Sequence, residues 1–183
     1  MRLKDYLMYI KYLKFANSFR VDSKKGHLLF RDKRVAMIPA GMFSELYLGL
    51  SDVTGKGGAA STLYMGAKKS ASVLYSIVSN TYGEDNLKSE EKFGKLINEI
   101  ISLAGYGNCE VVKVDFKNIE VIIRMRDLLT SSGIVKSDVP VCHAERGAMT
   151  GIIENITKKP CNGQEVKCQA MGDEYCEFVI KEG

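Results

Sequence analysis

The sequence predicts an α+β fold, an antiparallel sheet with helices packed on one side of it. Two observations carry this expectation. Apolar residues recur at helical spacing in stretches near 2–17, 59–80, 89–104 and 142–156. Between them, segments of alternating apolar and polar residues come in pairs joined by short polar turns, which is the pattern of hairpins. At 183 residues the chain reads as one domain, 1–183, with an N-terminal helix and lead-in over 1–25 and a core over 26–183.

Taken in order, residues 2–17 form an amphipathic helix through Leu3, Tyr6, Leu7, Ile10, Leu13 and Ala16, interleaved with lysines. Packing on its own domain or on a second subunit fits its mixed polar face better than a membrane-surface role. Gly26–Ile38 alternates around a polar turn and reads as a hairpin. Its cations (Lys24, Lys25, Arg31, Lys33, Arg34) resemble a phosphate patch, but no aromatic interleaving accompanies them, so a solvated hairpin tip is the better reading. Pro39 precedes a helix near Met42–Leu50. Gly55-Lys56-Gly57-Gly58 is read as a connector before the helix at 59–80, since it lacks the Walker spacing. Inside that helix the small residues Gly66, Ala67, Ser70 and Ala71 permit close packing.

Ser89-Glu90-Glu91 opens a helix with Phe93, Leu96, Ile97, Ile100 and Ile101 on its apolar side, ended by Gly105. Glu110–Phe116 and Ile119–Arg126 form two strands with Lys117-Asn118 as the turn. Residues 127–141 form an irregular connection. A helix over Cys142–Ile156 turns Met149, Ile152, Ile153 and Ile156 inward, and Gly147-x-x-x-Gly151 allows a tight contact. The last element is a hairpin over Gly163–Ile180 with a Gly-Asp turn. An odd loop at Gly172-Asp173-Glu174 pairs Ala170 with Cys176 and puts Cys168, Ala170, Cys176 and Phe178 on one face.

Bulk properties exclude several classes. Hydrophobic residues make up 45% and charged residues 26%, which is ordinary for a globular domain. No apolar run reaches membrane-spanning length, and Met-Arg-Leu-Lys-Asp-Tyr lacks a signal-peptide core. Five cysteines, an odd number, without a secretion signal point to a reducing cytoplasm rather than a disulfide framework. A net charge of +4 is no evidence for nucleic acid, and no direct nucleic-acid contact is expected.

Four cysteines, Cys142, Cys161, Cys168 and Cys176, crowd the last 42 residues, with Glu165 among them. Such a set suits a borderline cation such as zinc, and a helix N-terminus would favour a thiolate at Cys142. The spacing is not that of a zinc finger, and on chemistry alone metal binding and inert buried cysteines stand about even.

Cysteine, then glutamate, then Cys-x-x-x-Gly-Asp-x-x-Cys-x-Phe resembles the 4-vinyl reductase domain family, which includes sensor domains of phenol-responsive activators and archaeal stand-alone proteins. The resemblance implies a structural zinc on Cys142, Glu165, Cys168 and Cys176, with Cys161 as a possible substitute for Glu165. Glu165 and Cys168 are three apart, so a bulge is needed between them to turn both to one side. The resemblance also implies a fold similar to subunits of the vesicle-tethering transport-protein particle, and a homodimer through helical faces such as 2–17 or 59–80. It places a ligand cavity between helix and sheet, around Phe93, Ile97, Val121, Ile123 and Met149. Phe93 and Val121 fall where the phenol sensors grip their ligand with histidine and tryptophan. This chain has no tryptophan, so a more hydrophobic or aromatic ligand than phenol is expected.

With only His27 and His143, no catalytic constellation stands out. His143 reads as a capping or solvent-facing residue sooner than as a metal ligand or redox partner. The leading reading is a zinc-stabilised, small-molecule-binding sensor or carrier that is not an enzyme and acts through a regulatory protein partner. Thiol-based redox sensing is the alternative, with Cys109, Cys142 and Cys161 as reactive thiols. A role in reducing a tetrapyrrole vinyl group, or as a protein–protein scaffold, comes after it.

Overall fold

The structure, a computed structural model, describes residues 3–183, with side chains from Tyr9 onward. The expected inward side chains Leu3, Tyr6 and Leu7 lie outside the described side chains. Contacts divide the chain into two compact units, Met1–Pro39 and Ala40–Gly183.

In the first unit, helix α1 (Leu3–Ala16) is followed by a three-stranded antiparallel sheet, β1 (Phe19–Asp22), β2 (His27–Phe30) and β3 (Lys33–Val35). The alternation at 26–38 gives β2 and β3, while β1 is an addition to the expected hairpin. Its four residues, straight after the break at Asn17-Ser18, are too few to show a period. Phe19 stands opposite Phe30 in the ladder, and Phe15 of α1 closes an aromatic triad over them with ring centroids 5.0–5.3 Å apart.

The second unit begins with α2 (Gly41–Tyr82), one long run where the sequence pattern predicts two helices and a glycine connector. The connector shrinks to a single residue. Gly55 takes φ +73° and ψ 162°, a conformation open to glycine, and the helix resumes at once beyond the kink. The short α3 (Glu84–Lys88) occupies the polar stretch after α2, and α4 (Glu90–Leu103) follows. Strands β4 (Asn108–Asp115) and β5 (Glu120–Arg126), the one-turn α5 (Leu129–Ser132), α6 (His143–Thr157), β6 (Cys161–Lys167) and β7 (Cys176–Glu182) complete the chain. The connection at 127–141 is thus partly helical, through α5.

The four strands form one antiparallel sheet in the order β4-β5-β7-β6. Alternation decides its faces: Val121, Ile123 and Met125 of β5 and Cys176, Phe178 and Ile180 of β7 are buried, while their neighbours are not. This is the mixed α+β architecture expected. Helix α6 packs against α2 backbone to backbone. A Cβ at Gly147 would run into the Tyr64 carbonyl oxygen, and one at Gly151 into the Lys68 carbonyl and the Ala71 methyl. The glycine pair and the small residue Ala71 therefore face each other across one seam, the tight contact their spacing predicts.

The C-terminal hairpin meets its expectation by another route. Ala170 does not pair with Cys176: the ladder ends at Lys167 opposite Glu177, and residues 169–171 fold into a 3-10 turn. Gly172 takes φ +101°, which lets the chain reverse. The register slips between Glu165 and Lys167, leaving Val166 as a bulge at the place where one was required.

Candidate metal centre

The bulge, the 3-10 turn and the start of α6 converge on one point. Sγ of Cys142, Cys168 and Cys176 and a carboxylate oxygen of Glu165 all lie within 4.8 Å of one another, and all four residues are buried. Cys142 is the residue preceding α6, and Val141 before it is wholly buried, which fixes where the helix enters. Glu165 points the same way as Cys168 because Val166 takes up the odd residue between them.

Each donor is held by its surroundings. Glu165 Oε2 accepts the Cys142 backbone N–H at 3.0 Å, so the carboxylate is clamped to the helix start. Its Oε1 is buried without a hydrogen-bond partner among the described residues. A buried carboxylate oxygen left bare costs free energy unless a cation or donor meets it, and the Glu165 carboxylate has an oxygen within 4.8 Å of all three thiols. Cys168 is placed by the Gly-Asp turn: its N–H donates to Asp173 Oδ2 at 2.8 Å, and its carbonyl accepts from the Asp173 and Met171 N–H groups. Cys176 Sγ accepts the Gln169 N–H at 3.3 Å and lies 3.7 Å from Ser131 Oγ. Asp173, Gln169 and Ser131 are not singled out by sequence reasoning. The Gly-Asp pair in the motif is the available signal for the first of them.

The donor set fits zinc. A tetrahedron with Zn–S bonds of about 2.3 Å puts its sulfurs roughly 3.8 Å apart; Cys142 and Cys176 Sγ stand at 3.6 Å. Without a cation the cluster shares protons unevenly. Hydrogen bonds from the Cys142 and Cys168 thiols pull Cys176 down to about 4, while contacts with Cys168 first and Cys176 second, with burial added, push Cys142 well above the ordinary thiol range. Burial, with Cys168 adding to it, pushes Glu165 up to about 9. A bound divalent ion would displace those protons and neutralise charge that the site otherwise cannot carry.

Cys161 stands apart from this set. It is buried beside Thr157 Oγ1, with the Lys159 carbonyl 3.4 Å from its Sγ, and does not take the place of Glu165. His143, expected at the surface, is buried with its ring against Tyr47, centroids 5.6 Å apart. Burial lowers it to about 4, so it is neutral and no capping cation. All five cysteines are unpaired and buried.

The residues expected around a ligand occupy the main core. Phe93 and Ile97 of α4, Val121 and Ile123 of β5 and Met149 of α6 belong to one apolar cluster, each less than one-tenth exposed. Phe93 packs edge-on to Phe116 at 5.3 Å. A groove of about 590 Å³ lies between α4 and β4, lined by Glu90, Glu91, Gly94, Lys95, Asn98 and Cys109–Val114 rather than by these residues.

Comparison with known proteins agrees with the motif. The family model of the 4-vinyl reductase domain matches residues 121–182, which span β5 to β7 and every donor of the cluster. The uncharacterised protein MJ0150 of Methanocaldococcus jannaschii is 30% identical over 145 residues, covering 79% of this chain and 76% of that one. The chain belongs to the 4-vinyl reductase domain family. In fold it is similar to the phenol-responsive sensory domain of the transcription activator PoxR, solved with phenol, at a TM-score of 0.76 and 16% identity over 96% of this chain and 90% of that one. It is also similar to trafficking protein particle complex subunit 3 of Naegleria fowleri, at a TM-score of 0.60 and 13% identity over 79% of this chain and 95% of that one. Among the described residues no helix is long and apolar enough to cross a membrane.

Proposed function

We propose that this 4-vinyl reductase-type chain is a zinc-stabilised domain of the cytoplasm that binds a small hydrophobic or aromatic molecule and passes the binding event to a regulatory protein partner. One observation carries the metal part of the reading: four buried donors converge, one of them a carboxylate with a buried, unpartnered oxygen. Zinc there would be structural, since a site with four protein ligands keeps no open position for chemistry. The zinc would tie the start of α6 to the hairpin β6–β7, and so hold one wall of the apolar core.

The likeness to a sensory domain solved with phenol supports the ligand part. Where that ligand would enter, around Phe93, Ile97, Val121, Ile123 and Met149, the lining is wholly apolar and already packed. Such a site favours a molecule without a hydroxyl to satisfy, and binding it requires α4 to give way. The reading assigns the chain binding rather than catalysis. Thiol redox sensing draws less support: Cys109, which burial pushes up to about 12, and Cys161, also raised by burial, are poor nucleophiles.

The test is elemental analysis of protein purified without added zinc or chelator, followed by native mass spectrometry with phenol and with naphthalene. About one zinc per chain is expected. Cys168→Ser should lose the metal and the fold together, and Cys161→Ser should keep both. Naphthalene should be retained in preference to phenol. A metal-free, fully folded protein would end the zinc reading, and retention of neither compound would end the ligand reading.

A further inference from the structure

The second unit holds three arginines, and two of them are paired. Arg124 Nε donates to Glu177 at 2.7 Å, and Arg126 Nη2 donates to Glu174 at 3.1 Å. Arg146 of α6 is half-buried, yet its side chain makes no hydrogen bond and no ion pair among the described residues. Its Nε is wholly buried without a partner. Burial lowers its pKa from the usual guanidinium value. The carboxylate whose charge it feels, Glu165, lies beyond ion-pair distance and is committed to the Cys142 N–H. A guanidinium withdrawn from water with no acceptor carries a free-energy cost that an incoming anion would offset.

Its place says which anion. Cys142, Arg146, Met149 and Ile153 fall at i, i+4, i+7 and i+11, so they share one stripe of α6, with the arginine between the metal cluster and the apolar core. Across from it lies Gly163 of β6, where a Cβ would run into Thr150 Oγ1 and stand 3.4 Å from Arg146 Cγ. Gly163 pairs with Ile180, and Ile180 with Val121, so the three make one row across the inner face of the sheet. Val121 is among the residues around which a ligand would enter. The row sets it two strand spacings, about 10 Å, from the glycine under the arginine's stem. A molecule the length of a naphthalene with one carboxylate spans that distance, its body at Val121 and its charge at Arg146.

The guanidinium is held ready for such a group. From the α2 side the Tyr64 ring lies under it, with Cζ 4.4 Å from the ring centroid, and the Tyr64 hydroxyl is itself fixed by the Gly163 N–H at 3.2 Å. The unpartnered Nε and a neighbouring Nη form the planar fork that takes two carboxylate oxygens side by side. We propose that Arg146 receives the carboxylate of the bound molecule, which makes the ligand of this domain a hydrophobic acid, aromatic or aliphatic, in place of a neutral hydrocarbon. The inference rests on the ligand reading above and narrows it.

Equilibrium dialysis of the full-length chain, as purified, against naphthalene, naphthoate and methyl naphthoate tests it. Naphthoate should bind about thirtyfold more tightly than its methyl ester, the gain from one charge-assisted bidentate contact. That comparison is made on the unaltered chain, so it stands whether or not a variant folds. Arg146→Met, which keeps the stem, should erase the advantage while naphthalene binding and metal content stay unchanged. Arg146→Lys, which keeps the charge but loses the fork, should fall between. Equal affinity for acid and ester would overturn the inference and leave the ligand reading standing. Binding of none of the three compounds would overturn both. Loss of metal in Arg146→Met would assign the arginine to the metal cluster as its counter-charge, and undiminished naphthoate binding in that variant would put the anion elsewhere. Either result also overturns the inference.

Discussion

Two interiors meet along α6, and they are specified in opposite ways. At its first turn lie four donors that must sit within one bond length of a common point, three of them aimed by a hydrogen bond: the Cys142 N–H on Glu165, Asp173 on the Cys168 N–H, the Gln169 N–H on Cys176. Along its body lie Met149, Ile152 and Ile153 with Phe93, Val121 and Ile123, held only by volume. The polar interior admits one kind of occupant in one geometry. The apolar interior admits whatever can displace its packing. In a binding domain the first would be the fixed wall and the second the part that adapts.

Removing volume from the adaptive side breaks the comparison most severely. Phe93→Ala takes a wholly buried ring from between α4 and Phe116 and should cost about 3–5 kcal/mol, measured by chemical denaturation of zinc-loaded protein. If the apolar core is where ligands enter, added naphthalene should recover part of that loss; a ring-sized cavity that stays unresponsive would argue for plain packing. Next in size, Asp173→Ala frees the buried Cys168 N–H and should cost about 1–3 kcal/mol. Its signature should be weaker zinc retention in a competition with a chromogenic chelator, while naphthalene binding stays unchanged. The smallest effect is in pH. Glu165, raised from 4.5 to about 9 in the folded chain without metal, binds a proton there that the unfolded chain has already lost. That contribution is full below pH 4.5 and disappears as pH rises toward 9, while Cys176, lowered to about 4, contributes with the opposite sign. Chelator-treated protein should therefore lose more melting temperature across this window than chelator-treated Glu165→Gln, which keeps only the Cys176 part. Zinc-loaded protein should not show this slope.

The polar interior is the more legible from sequence, because spacing encodes it. Glu165, Cys168 and Cys176 keep fixed intervals, and the need for a bulge at Val166 follows from counting faces. The hairpin turn departs from its alternation for a physical reason. Asp173 spends its carboxylate on the Cys168 N–H and so pulls residues 168–172 into a 3-10 turn, where alternation alone would have continued the ladder to Ala170. The kink in α2 is hidden similarly. Four residues with three glycines read as a loop, yet only Gly55 leaves helical geometry, and Thr54 Oγ1 still bonds back to the Leu50 carbonyl across the last turn before it. His143 shows the limit of composition: nothing in the sequence says that Tyr47, far earlier in the chain, will cover it.

The glycine seam between α6 and α2 has a mechanical consequence. Where side chains interlock, a helix can roll by letting them change rotamer. Gly147 and Gly151 rest on the Tyr64 and Lys68 carbonyls themselves, and the bulkier side chains to either side would strike main chain as soon as α6 turned. The two helices therefore behave as a shaft keyed to its housing. A push delivered to Met149 from the core would then be carried into α2 as a displacement, not lost as a rotation within α6.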